Sequence, residues 1–352
     1  MRSSHSRASM LVVFVAVGTR FSAVIGGDPA LPEHIPAAAN EPLAAEFSVE
    51  KAAISLDVAA LAWQSKNQCS QCHANFMCLI ARPAVALPSA PKVRELYESL
   101  VAERWEKSGL RYPSEAMVVA VPLAFHDAQT TGKLHPLTRK ALDRMLTHQR
   151  ADGGWNGIGG AERTFINEYE ETLLAALGIA VAPENYAASD APAKALDDIR
   201  TYLKAHAAQT PYQKGMLLWA ARHIGGLISE ADRTAAAQTL LQLQHADGGW
   251  NLRGLLHDSE EWQSGKFAGG QPSDGLGTGF AIFAARNAGV SADDRRIQSG
   301  LAWLKRNQRA SGRWFTPSLN TYTKQNLPSN SGTAFAIMAL RECGEVRRRP
   351  SP

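Results

Sequence analysis

Gln149-Arg-Ala-Asp-Gly-Gly-Trp155-Asn156 recurs as Gln244-His-Ala-Asp-Gly-Gly-Trp250-Asn251, and in weaker form as Gln308-Arg-Ala-Ser-Gly-Arg-Trp314-Phe315. Each copy follows an amphipathic stretch, Leu137 to His148, Arg233 to Leu243 and Ile297 to Asn307, so each sits where a helix ends. Asp-Gly-Gly supplies the left-handed backbone that stops a helix. The Trp is an apolar plate able to pack on the next hairpin. The Gln can bond the backbone groups a helix end leaves exposed.

A second element follows each turn. Gly277-Thr-Gly-Phe-Ala-Ile-Phe-Ala-Ala-Arg286 matches Gly332-Thr-Ala-Phe-Ala-Ile-Met-Ala-Leu-Arg341, and Glu171-Thr-Leu-Leu-Ala-Ala-Leu177 is a looser copy. These segments are apolar around most of their circumference, as a helix buried on all sides must be. Amphipathic helices alternating with buried ones give two layers. The expected fold is therefore all-α: an α/α toroid with the buried helices inside and the amphipathic set outside. Helices are expected over 92–107, 114–129, 136–149, 167–180, 192–208, 212–225, 230–244, 273–289, 293–308 and 330–343. A degenerate copy of the turn comes early. Trp63 stands five residues before Gln68, as Trp303 stands five before Gln308, and Cys69-Ser-Gln-Cys72-His73 takes the place of the glycines.

Working outward, the toroid is assigned to 47–345. Segment 1–27 reads as a secretory signal: Arg2 and Arg7, then apolar Met10 to Gly18, then small residues from Ala23 to Gly27. The Pro- and Ala-rich segment 28–46 reads as a linker, and 346–352 as a basic tail carrying Arg347, Arg348 and Arg349. The Gly-rich connection 250–272 is expected to cross one mouth of the ring. Export to the periplasm or the exterior follows from the signal. The net charge of +4 sits largely in the tail. No basic face suited to nucleic acid appears. No phosphate loop or nucleophile elbow is present, and His126, His206, His223 and His257 show no metal-ligand spacing.

The three Gln-to-Trp turns look like the QW repeats of the squalene-hopene cyclase and terpenoid cyclase superfamily. The resemblance covers roughly residues 50–345 and is one of fold. It implies an apolar isoprenoid or lipid-like ligand in a central cavity and contact with a membrane surface, and requires no cofactor. Cyclases of that family protonate an alkene with an Asp-x-Asp-Asp-Thr-Ala motif whose central Asp is the donor. Laid on Asp274-Gly-Leu-Gly-Thr278-Gly279, the motif keeps the first Asp and the Thr, while Leu276 and Gly277 replace the other acids. Asp274 also reads as a helix cap. Glu168-Tyr-Glu170-Glu171-Thr172-Leu173 has the same spacing in Glu and opens a buried helix. Glu170 would then be the central acid, flanked by Glu168 and Glu171. Acidic residues also favour helix N-termini on the macrodipole alone. Tyr169, Trp219, Phe280 and Phe283 are the aromatic candidates for lining a substrate, with Phe125 and Phe335 beside them.

Cys69, Cys72 and His73 have the spacing of c-type haem attachment, two thiols for the vinyl groups and an axial imidazole. A disulfide or redox pair, a zinc site with Cys78, and packed thiols are the other readings. The spacing leaves all four open. Two functions therefore compete. One is a terpene cyclase-like isomerase or lyase whose usual acid motif is not retained. The other is an exported, non-catalytic binding protein of the same fold, with haem c at the cysteine turn as one form of it.

Overall fold

The computed structural model describes residues 31–68, 70, 74–87, 91–156, 167–256, 272–319 and 326–346. Glu33–Pro352 form one compact unit; of the other unit, Met1–Pro32, only residues 31 and 32 are described. The signal segment, most of the basic tail and Cys69, Cys72 and His73 lie outside the described residues.

Outer and inner helices alternate along the chain. The outer set is α1 (Val49–Asn67), α3 (Pro91–Ser99), α6 (Pro136–Leu146), α8 (Asp190–Ala205), α10 (Glu230–Gln242) and α13 (Arg295–Asn307). A π-helical turn at Leu100–Arg104 and α4 (Trp105–Ser108) prolong α3, so the single helix expected over 92–107 is broken in the middle. The inner set is α2 (Asn75–Ala81), α5 (Glu115–Thr130), α7 (Glu168–Val181), α9 (Pro211–His223), α12 (Gly275–Asn287) and α14 (Pro328–Glu342). A short helix, α11 (Leu252–Leu255), opens the long connection before α12. Local chemistry fixes the starts. Ser48 caps α1 by accepting from Lys51 N, and Asn167 and Thr210 form capping boxes with Glu170 and Gln213.

Burial follows the expected division. On α12 every residue from Gly275 to Ala285 is buried, whereas α13 buries one stripe that includes Ile297, Leu301 and Leu304. Inner helices pack side by side in the order α2, α5, α7, α9, α12, α14, and α14 packs back on α2. The ring is closed.

The joint that closes it is the one used inside it. Gln149 Nε2 donates to Gly153 O at 3.0 Å and to Ala195 O of the next outer helix at 3.1 Å. Gln244 repeats this with Gly248 O and Arg296 O, both at 2.8 Å. Gln308 donates to Gly312 O and to Ser48 O at 2.8 Å, and its Oε1 accepts from Ser48 N. For the last turn, the next outer helix is thus the first, α1. Gly153, Gly248 and Gly312 have φ of +89°, +90° and +91°. A Cβ on any of them would run into the backbone of Asp198, Ser299 or Lys51, again in the next outer helix. Left-handed backbone and close approach together require glycine there.

The Trp is held from the inside. The N–H of Trp155, Trp250 and Trp314 donates to the Oγ1 of Thr172, Thr278 and Thr333, at 3.1, 3.0 and 3.2 Å. This is why a Thr begins each inner-helix repeat. The early copy departs from the expected register. Gln64, not Gln68, reaches the next outer helix, donating to Lys92 O at 2.9 Å. Gln68 is an exposed C-cap with φ +49°. Upstream, Leu43 bridges Arg309, and Glu41 accepts from Ser311 N, so the expected linker 28–46 includes residues docked on the last turn.

Candidate functional site

The inner helices run the same way round the ring, so their last turns meet at one mouth. There they line a cavity of about 480 Å³ to which all six inner helices contribute. That volume suits a small ligand. Its floor is aromatic: Phe125 of α5, Trp219 of α9 and Phe283 of α12. The Trp219 ring lies 5.5 Å from Phe125 and 5.2 Å from Phe283, the latter edge-on. The rim is polar, with Gln129, Arg222, His223, Arg341 and Glu342. Arg341 Nη1 donates to Gln129 Oε1 at 2.5 Å across the ring, and Gln129 Nε2 donates to Ile80 O at 2.8 Å. Desolvation in this basin, with the Arg222 charge beside it, holds the His223 imidazole below its ordinary range.

Behind the floor further rings are in contact. Phe335 touches Trp219 at 6.1 Å and Phe280 at 5.2 Å, and Phe280 stacks on Tyr212 at 4.3 Å. This aromatic column runs from the basin towards the other end of the inner helices. Of the four aromatics expected to line a substrate, Trp219 and Phe283 line the basin. Phe280 lies inside the column and Tyr169 lies at the start of α7.

The expected acids sit at that opposite, N-terminal end, on α7 and at the start of α12. Glu170 is buried and accepts from Asn167 N at 3.0 Å, closing the capping box of α7. The Gln213 side chain also bonds it, and burial pushes its carboxyl up to about 7. Glu171 is fully buried beside it in sequence. The Glu168 carboxylate is half exposed and pairs with Arg150 at 2.5 Å. Asp274 caps α12. Its oxygens accept from Gly277 N at 2.9 Å, Leu252 N at 2.7 Å and Thr316 Oγ1 at 3.1 Å. Burial pushes it up to about 6 against the pull of those donors. Three donors on one carboxylate tie the start of α12 to both neighbouring turns.

A second cavity, of about 290 Å³, lies among α1, α2, α3 and α5. Apart from exposed Glu95, its charged side chains pair with carboxylates or arginines nearby. Arg82 pairs with Asp57 at 2.9 Å, and Arg94 pairs with Asp127 and Glu98 and bonds His126 Nδ1. Cys78 donates to Asp57 Oδ1 at 3.7 Å. Burial and the Asp57 charge push that thiol well up.

Sequence reasoning missed the basin's rim. The signal was present: the matched repeats end in Arg286 and Arg341, and Arg222-His223 likewise ends an apolar helix. Only the parallel inner ring turns those separate helix ends into one place.

Comparison with known structures agrees with the fold. The ent-copalyl diphosphate synthase from Streptomyces platensis superposes with a TM-score of 0.51 at 16% identity, over 77% of this chain and 50% of that one. The chain therefore spans half the length of that synthase. A glycosidase in complex with glucose gives a TM-score of 0.55 at 10% identity, over 85% and 98% of the two chains. A wild-type glycosidase gives 0.54 at 11% identity with the same coverage. At such identities the likeness is one of fold alone, an all-α toroid. No protein-family model matches the sequence, and no curated protein matches it.

Proposed function

We propose that this protein uses a terpenoid cyclase-like toroid to bind an apolar, isoprenoid-like molecule in the basin at the C-terminal mouth, without starting a cyclisation. The observation that carries this is the separation of the aromatic floor from the acids. Ala180 lines the basin and lies ten residues after Glu170 in the same helix. That is about 15 Å of helix axis. The contacting rings of Phe335, Phe280 and Tyr212 lead away from Trp219 towards the helix starts. A general acid must come within hydrogen-bond reach of the atom it protonates. Glu170 and Asp274 do not line the basin, and both carry helix caps. Export is part of this proposal, supported by the order of charge, apolar run and small residues at Arg2 to Gly27.

The test uses squalene and farnesol. Binding is followed by tryptophan fluorescence, and any product by gas chromatography. Both probes are expected to bind and to be recovered unchanged. Ala128→Trp, which fills the basin from its wall, is expected to abolish binding, while Glu170→Gln leaves it unchanged. A cyclised product that disappears in Asp274→Asn or Glu170→Gln would overturn the proposal in favour of a cyclase.

A further inference from the structure

We propose that the basin's ligand carries an anionic oxyacid head, a carboxylate or a phosphate, which seats between Arg222 and Arg341 while its apolar chain lies on Phe125, Trp219 and Phe283. This deepens the reading above and rests on it.

The two ends of the basin differ in chemistry. The floor offers only ring faces and edges and holds no described charge. The charged side chains of the rim are the two guanidiniums of Arg222 and Arg341 and the one carboxylate of Glu342. Arg222 is exposed and pairs with no described carboxylate. Arg341 is already aimed. Its bond to Gln129, which is itself anchored on Ile80 O, fixes the guanidinium across the mouth. That bond uses one of the five donors a guanidinium carries. A fixed fork loses little freedom when it receives an oxyanion.

Other heads fit less well. The last turns of the inner helices bring partial negative charge to this mouth, and the terminal cations answer it. A cationic head would meet both arginines. A neutral head can accept from a guanidinium but brings no opposite charge and cannot answer both forks at once. An oxyanion satisfies both arginines and leaves the chain free to bury itself on Trp219. The amphiphile thus matches the basin from rim to floor.

Four probes of one chain length decide the matter: dodecanoate, dodecyl phosphate, dodecanol and dodecyltrimethylammonium, each titrated below its micellar concentration. One or both anions are expected to bind at least tenfold tighter than the alcohol, and the stronger of the two names the head. Replacing both arginines, Arg222→Gln with Arg341→Gln, is expected to bring the anion's affinity down to the alcohol's. If the double variant does not fold, Arg222→Gln alone, at an exposed position, reads out part of the same loss. An alcohol that binds as tightly as the anions, or an anion preference that survives both substitutions, overturns the anionic head and leaves the apolar basin standing. Binding by no probe, or binding that Ala128→Trp does not disturb, overturns the basin itself.

Discussion

Glu170→Gln separates a structural acid from a catalytic one. Glu170 is buried, and its carboxyl is raised from the usual 4.5 to about 7. A carboxyl with a raised pKa binds more protons in the folded chain than in the unfolded one between those two values. Stability therefore falls as pH rises through that window. One unit of pKa is worth about 1.36 kcal/mol, so a rise of this size corresponds to about 3 kcal/mol once the pH exceeds 7. Glutamine keeps the cap, because its amide oxygen can still accept from Asn167 N. It removes only the ionisation. Urea unfolding of both proteins at pH 5, 6, 7 and 8 measures the difference. At pH 5 the variant should lead by no more than about 1 kcal/mol. By pH 8 the variant should be the more stable, by about 2–3 kcal/mol. Asp274, raised from 3.8 to about 6, adds a fall of the same sign at lower pH in both proteins and cancels in the comparison. Parallel pH profiles would refute the reasoning, because Glu170 would then pay nothing for its charge in the folded ring.

The closing joint gives further tests. Gln308→Ala strands Ser48 N and Gly312 O and takes one of two donors from Ser48 O, and should lower stability in urea by about 2–3 kcal/mol. Gln68→Ala, at the exposed cap, should stay within about 0.5 kcal/mol of the wild type. Gly312→Ala, at φ +91° and against the Lys51 backbone, should cost more than the ~1–3 kcal/mol of a strained φ alone and show as a lower melting temperature. Thr278→Val removes the acceptor of Trp250 N and the donor to Trp250 O, and should cost about 1–3 kcal/mol by the same unfolding assay.

The fold was legible because its repeats say the same thing several times. Glycine before Trp, Gln at the helix end and Thr at the next helix start each have one geometric use, and all recur together in Gln149 to Thr172 and Gln244 to Thr278. The early copy was harder. Its Gln68 kept the spacing from a Trp, while the bond to the next outer helix had moved one turn back to Gln64. The acid positions were legible only as positions. A Glu or Asp opening a buried helix reads alike as donor or cap, and the bonds from Asn167 N, Gly277 N and Leu252 N show the capping role. The basin was hardest of all. Arg222 and Arg341 are far apart in the chain, and each looks like an ordinary last-turn cation. Their common address depends on which way the inner helices run.

The most direct measurement is a crystal structure of the protein with dodecanoate brominated at its chain end, located by the anomalous signal of the bromine. The account predicts the bromine against Trp219 and Phe283, with the carboxylate turned to Arg222 and Arg341. A bromine or carboxylate found instead beside Glu170 or Asp274 would contradict it.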